Sequence, residues 1–290
     1  NALAVLGIAR AAARAGATRA APGNGGARGH VLVGPLEHAC VRESARALGR
    51  EGFDVDTARL TPEGGLDLAD LEERLRPDTV LVAVCAASNE VGTILPVRAV
   101  ARIARARAPR ARVHSDAVQA FGKIECSPVE LDCDSVAVSA HKVHGPMGAG
   151  ALVRSSAFDV EPIVHGGGQE QGLRSGTHNV AAIVGLGVAA RLAEERRDET
   201  ARTCGELRAH MVARLARELP GARPLDPRPG GGGAVAMLPS ILAVAFSGAP
   251  AEVRLHHLEQ RGVYASAGSA CQARKRDISP ALAALGLSAD

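Results

Sequence analysis

The chain has 290 residues, 46% of them apolar, which is enough for one large domain, part of a second and a real core. Its formal net charge of +3 is too small to argue for nucleic acid, and an aromatic content of 2% removes the stacking platforms that single-strand binders use. The six cysteines, at 40, 85, 126, 133, 204 and 271, lack the paired spacing of zinc ribbons or disulfide scaffolds, so a reducing cytoplasm and no metal are expected.

In chain order, an apolar helix runs from Asn1 to Ala13, and short apolar strands then alternate with helical segments. His30 to Val33 reads as a strand, Glu37 to Arg50 as a helix, Phe53 to Ala58 as a strand and Leu68 to Arg76 as a helix. Val80 to Ala86 is again strand-like and Val97 to Ala106 helical. This alternation predicts an α/β fold with a mostly parallel sheet flanked by helices. From Asn179 to Leu219 the pattern is long, charged and helical, and the domain change is placed there: 1–195 as the large domain, 196–290 as a smaller α/β domain. Within the second, Pro227 to Gly233 reads as a flexible surface loop, and Ile241 to Phe246 and Ala251 to Arg261 as a strand and a helix. No signal-peptide pattern occurs, and arginines and glutamates interrupt every apolar run before it reaches membrane-spanning length.

The most informative stretch is Ser139-Ala140-His141-Lys142 with the glycine-rich turn that follows. It succeeds the strand Asp134 to Ser139, and ligands of parallel sheets gather at the carboxyl ends of strands. A lysine after a strand is commonly a solvated charge. Here the flanking His141 and the glycine turn favour an amine that forms an imine with an aldehyde cofactor, for which pyridoxal phosphate acts as electron sink. A desolvated setting for Lys142 is expected, so that burial lowers its pKa and frees the amine. The cofactor's ring nitrogen needs an acidic partner. Asp116 supplies one at the end of another apolar strand, 26 residues before the lysine, and Gln119 follows it as a donor to the ring oxygen.

Seven motifs occur in order: Glu37-His38; Ser88-Asn89-Glu90-Val91-Gly92; His114-Ser115-Asp116-Ala117-Val118-Gln119; Ser139-Ala140-His141-Lys142; His165-Gly166-Gly167-Gly168-Gln169-Glu170; Arg174-Ser175-Gly176-Thr177; and Ser266-Ala267-Gly268-Ser269-Ala270-Cys271. With them, nearly the whole chain resembles the class V aminotransferase-like enzymes of fold type I, which depend on pyridoxal phosphate. Among these it resembles the cysteine desulfurases of the nitrogen-fixation and iron–sulfur-assembly type.

The resemblance implies that His38 stacks on the cofactor ring and moves protons. It implies that Asn89 contacts the cofactor oxygen or the substrate carboxylate, and that Ser139 and His141 donate to the phosphate. Thr177 would complete the phosphate site of a second copy, which makes the protein a homodimer with composite sites. Each has a simpler alternative: a turn asparagine at 89, a helix cap at Thr177, backbone partnership at His38. The resemblance further implies a cofactor-phosphate loop upstream of Asn1 and a substrate-binding arginine downstream of Asp290.

Cys271 separates the family's reactions from one another. It lies among small residues, so it reads as a thiol on a loop that reaches the cofactor, and Arg274, Lys275 and Arg276 would favour its thiolate or receive an acidic sulfur acceptor. Ala267 and the run Gln272-Ala273-Arg274-Lys275 depart from the usual family loop, which points to a different acceptor. The expected activity is conversion of L-cysteine to L-alanine, with the sulfur held as a persulfide on Cys271 and passed to an acceptor or scaffold protein. The alternatives are an aminotransferase, a selenocysteine or cysteine lyase, or an epimerase of the same fold, and a catalytically inactive sulfur-transfer partner.

Overall fold

Short apolar strands assemble into a six-stranded sheet in a computed structural model that describes residues 1–16, 28–226, 235–246, 248, 250–268 and 278–287. The strands are β1 (His30–Val33), β2 (Asp54–Thr57), β3 (Thr79–Ala83), β4 (Arg112–Asp116), β5 (Ser135–Ser139) and β6 (Gly150–Arg154), in the order β2-β1-β3-β4-β5-β6. The first five are parallel and β6 returns antiparallel along β5. Because helices cover both faces, alternate residues of one strand feed two cores. Val31, Val33, Leu81 and Ala83 pack with Ala4, Val5 and Ile8 of α1 (Ala2–Gly16) and Val41 and Leu48 of α2 (Ala39–Arg50). Leu32, Val82, Val84 and Val113 pack instead with Leu71 of α3 (Leu68–Arg74) and Val97, Val100 and Ala104 of α4 (Val97–Arg107). Each such valine or leucine, fully removed from water, stabilises the fold by about 1.5–3 kcal/mol.

The helix starts are written in side chains. Asp67 caps α3 by accepting from the amides of Ala69 and Asp70, and Ser127 caps the short α5 (Pro128–Leu131) with proline in its first turn. The helix expected from Glu37 begins at Ala39, because His38 is its cap. The strand expected over Val80 to Ala86 leaves regular pairing after Ala83, although the amides of Val84 and Ala86 still reach the carbonyls of His114 and Asp116.

The long helical stretch divides at Arg196 into α6 (Val180–Glu195) and α7 (Arg197–Glu218). Beyond it, β7 (Ala222–Pro224) pairs antiparallel with β8 (Val244–Phe246) as a second sheet, followed by α8 (Ala251–Glu259) and α9 (Pro280–Ala284). The expected loop from Pro227 to Gly233 lies outside the described residues. Residues 236–238 run back to the connection between β3 and α4: the amide of Ile94 donates to Ala236, that of Leu238 donates to Gly92, and Thr93 bridges to Met237. No described helix is long and apolar enough to cross a membrane.

Candidate active site

Four adjacent parallel strands, β1, β3, β4 and β5, end on the same side of the sheet, and the candidate residues follow those ends. A crevice at that edge is where an open α/β sheet binds ligands. After β1 comes the turn to Glu37 and His38, after β3 the turn holding Asn89, at the end of β4 Asp116 and then Gln119, and at the end of β5 Ser139, His141 and Lys142.

Asp116 is the last residue of β4 and is buried. Its Oδ1 accepts from the amide of Val118 at 3.0 Å and its Oδ2 from Asn1 Nδ2 at 2.8 Å. Burial pushes its carboxyl pKa up, and it forms no ion pair with a lysine or arginine among the described residues. A buried carboxylate served only by N–H donors is a place for a cation.

Gln119 is half-buried and its Oε1 accepts from Lys123 Nζ at 3.0 Å. An ammonium only donates, so the Gln119 amide turns its oxygen to Lys123 and keeps its NH2 group for another acceptor. Burial, and then the like charge of Lys142, lower the Lys123 pKa.

Ser139 Oγ and His141 Nδ1 are 2.7 Å apart at the start of a single 3-10 turn, Ala140–Lys142. The turn is pinned from both sides: Ala140 exchanges backbone bonds with Ala149 and Gly145, and Gly148 takes the left-handed φ of +83° that the return to β6 requires. Helix α6 packs onto it so closely that a Cβ on Gly185 would sit 2.5 Å from Pro146 Cγ. The desolvation expected for Lys142 is absent from this chain: the side chain is exposed and makes no hydrogen bond among the described residues. The physical reason is that its turn emerges at the sheet edge, where α6 covers the backbone of the turn and leaves the amine in solvent.

His38 caps α2, and its Nδ1 accepts from the amide of Cys40 at 3.2 Å. Backbone partnership, the simpler alternative for this histidine, is therefore present. Asn89 is half-buried in a turn closed by the Ala87–Ile94 bridge, with Ser88 Oγ accepting from the amides of Glu90 and Val91. Thr177 stands apart: it is exposed ahead of α6 and makes no side-chain hydrogen bond among the described residues. Nor is it the cap of that helix, since Asn179 accepts from the amide of Ala182. Cys271 lies outside the described residues, as do Arg274, Lys275 and Arg276. Of the described residues on either side of it, Ser279 bonds Glu90 and Gly268 lies near the same carboxylate. A Cβ on Gly268 would lie 3.8 Å from Glu90 Oε2, and the Ser279 hydroxyl donates to the same oxygen.

Several polar residues of the crevice floor escaped the sequence reading. Asn1 joins Asp116 to His114, and Cys40 sits beside His38. Burial holds the His114 pKa down at about 3, so this ring is neutral. His114 and Glu37 lay inside quoted motifs and Cys40 two places beyond one; for Asn1 no local pattern gave a signal.

Glu37 is wholly buried: its Oε1 accepts from the Cys85 amide at 2.6 Å while Oε2 has no partner, and burial pushes its pKa to about 8. An acid raised in the fold from 4.5 binds its proton more tightly there than in the unfolded chain. Its stabilising contribution is therefore whole below pH 4.5 and is lost as pH rises through 8. Relative to Glu37→Gln, the wild type is expected to lose stability by roughly 1.4 kcal/mol per pH unit across that window. Urea unfolding of both proteins at several pH values checks this; parallel stability curves would show that Glu37 ionises as an ordinary carboxylate.

A family model described as aminotransferase class-V matches residues 12–289. The cysteine desulfurase IscS of Clostridium botulinum strain Hall is 33% identical over 258 residues, covering 89% of this chain and 64% of that protein. The mitochondrial cysteine desulfurase of Saccharomyces cerevisiae is 36% identical over 259 residues, covering 89% of this chain and 50% of that one. The chain thus spans less than two thirds of the length of these relatives. Among solved structures, a NifS-like protein superposes with a TM-score of 0.83 at 34% identity, covering 98% of this chain and 71% of the other. DndA from Streptomyces lividans superposes at 0.77 with 31% identity, covering 99% and 76%.

Proposed function

Because the chain belongs to the class-V aminotransferase family, we propose that it is the main part of a cysteine desulfurase that binds pyridoxal phosphate in the crevice at the ends of β1, β3, β4 and β5. The residues present fit that group. Asp116, buried and served only by N–H donors, suits a protonated ring nitrogen, and the free NH2 of Gln119 suits a ring oxygen. Ser139 and His141 supply phosphate donors from one turn, and Lys142 supplies the amine that holds the aldehyde. Once bound, the cofactor supplies an electron sink at the substrate α-carbon.

The protein's own groups do the rest. Asn89 binds the substrate carboxylate, His38 covers the ring, and Lys142 takes and returns the α-proton. The Cys271 thiolate attacks the sulfur of L-cysteine. An S–S bond forms as the C–S bond breaks, the electron pair stays with carbon, and protonation there completes L-alanine. Cys271 is left as a persulfide for an acceptor or scaffold protein, which the charges of Arg274, Lys275 and Arg276 would attract if it is acidic.

The observation that supports this member of the family over an aminotransferase, lyase, epimerase or inactive partner is the hydrogen bond from Ser279 to Glu90, next to Asn89, which brings the chain downstream of Cys271 to the crevice.

We further take 1–195 and 196–290 as the two domains, with the break at Arg196 as their junction. A homodimer would cover the exposed apolar line Val180, Val184 and Val188 of α6 and would supply Thr177 to the other copy's phosphate site. The five described cysteines are free thiols, consistent with a cytoplasmic setting.

The test is the product of L-cysteine turnover by the full-length protein with pyridoxal phosphate and a reductant. Alanine and sulfide in equal amounts are expected. Pyruvate with ammonia, or amino-group transfer without sulfide, would move the reading to another class-V reaction. Failure to bind the cofactor would leave the inactive partner.

A further inference from the structure

A continuous run of hydrogen bonds crosses the crevice floor, and chemistry fixes the direction of each. Asp116 accepts at Oδ2 from Asn1 Nδ2 at 2.8 Å, so the Asn1 amide turns its NH2 group to Asp116 and its Oδ1 to His114. His114 Nε2, 3.0 Å from that oxygen, must carry the proton of this ring. A neutral His114 then has a bare Nδ1, which accepts from the Ser135 hydroxyl at 3.0 Å.

The same Asn1 NH2 group reaches Cys40 Sγ at 3.3 Å and donates to it. Cys40 in turn meets His38 twice at one atom: its Sγ lies 3.0 Å and its amide nitrogen 3.2 Å from His38 Nδ1. A backbone amide only donates, so Nδ1 presents its lone pair to Cys40. The thiol, already accepting from Asn1, points its proton the same way. Burial and the neighbouring Asp116 push the Cys40 pKa up, so the thiol keeps that proton. His38 Nε2 has no hydrogen bond among the described residues.

We propose that Cys40, through its amide and its thiol together, is a positioning residue that holds His38 in the tautomer carrying its proton on Nε2, so that His38 meets the ligand as a hydrogen-bond donor. It follows that His38 offers a hydrogen bond at Nε2 and has no lone pair there to take a proton, which leaves removal of the α-proton to Lys142. This division of labour rests on the cofactor reading; the tautomer itself does not.

The test is NMR of the full-length protein labelled with 15N-histidine, read with and without pyridoxal phosphate, with the His38 signals assigned by their loss in His38→Gln. The wild type is expected to show a single Nε2–H form, Cys40→Ser to keep it through its hydroxyl, and Cys40→Ala, left with the amide bond alone, to keep it as the major form and gain a minor Nδ1–H population. A wild type with the proton on Nδ1, or a Cys40→Ala spectrum identical to wild type, would overturn the proposal. Should Cys40→Ala not fold, the wild type and Cys40→Ser still decide, because Nδ1–H or a mixture in either is the overturning result. Absence of cofactor binding, read from absorbance in the same samples, would count against the cofactor reading alone.

Discussion

Lys142→Ala is expected to retain no pyridoxal phosphate after borohydride reduction and denaturing dialysis, whereas the wild type keeps the cofactor covalently. The geometry gives the reason. Lys142 ends a turn whose backbone is pinned by Ala140, Ala149 and the close approach of α6, so its stem leaves a fixed point one residue past His141 and its amine is free to react. Lys123 is the rival amine, but it is half-buried and committed to Gln119 Oε1. Because the lysine also serves as the proton carrier, alanine release should fall by at least roughly 10²–10⁴-fold, the usual weight of a positioned general base. Cofactor still fixed by borohydride in Lys142→Ala would sink the assignment and direct attention to Lys123.

The second large effect is at Cys271. In Cys271→Ser, alanine release from L-cysteine should fall by roughly 10³-fold or more, on the scale of losing an enzyme's nucleophile, while cofactor absorbance stays that of wild type. A serine hydroxyl is not ionised near neutral pH, whereas a thiol of ordinary pKa is already a few per cent thiolate, and nearby cations raise that fraction. Mass spectrometry of wild type given L-cysteine should find the extra sulfur on Cys271, and Cys271→Ser should lack it. Unchanged alanine formation in the variant would make the cysteine a bystander and favour a lyase.

What could be read from the sequence was whatever one short segment contains. Strands such as Val31-Leu32-Val33 and helices such as α2 announce themselves by apolar spacing, and turns at strand ends locate Asp116, Gln119, Ser139 and Lys142 at one edge before any coordinates are known. Hidden features depend on pairs far apart in the chain. Asn1 meets Asp116 across 115 residues and His114 across 113, and no local pattern encodes either contact. The three residues of β7 are too few to show a period, and only their pairing with β8 makes them a strand. The exposure of Lys142 likewise depends on what packs around the turn, which an apolar strand followed by glycines does not specify.

The turn that carries Asn89 has a consequence for the order in which the protein matures. All six strands of the main sheet lie before residue 155, so the sheet can form while the rest of the chain is still being synthesised. The Asn89 turn, by contrast, takes backbone partners from residues 236–238, and Glu90 takes its hydroxyl partner from Ser279, 189 residues away. Contacts of such long sequence separation form slowly. The turn therefore reaches its final shape only after translation has delivered the C-terminal segment, and a nascent chain released early would hold a folded sheet with an unfinished crevice.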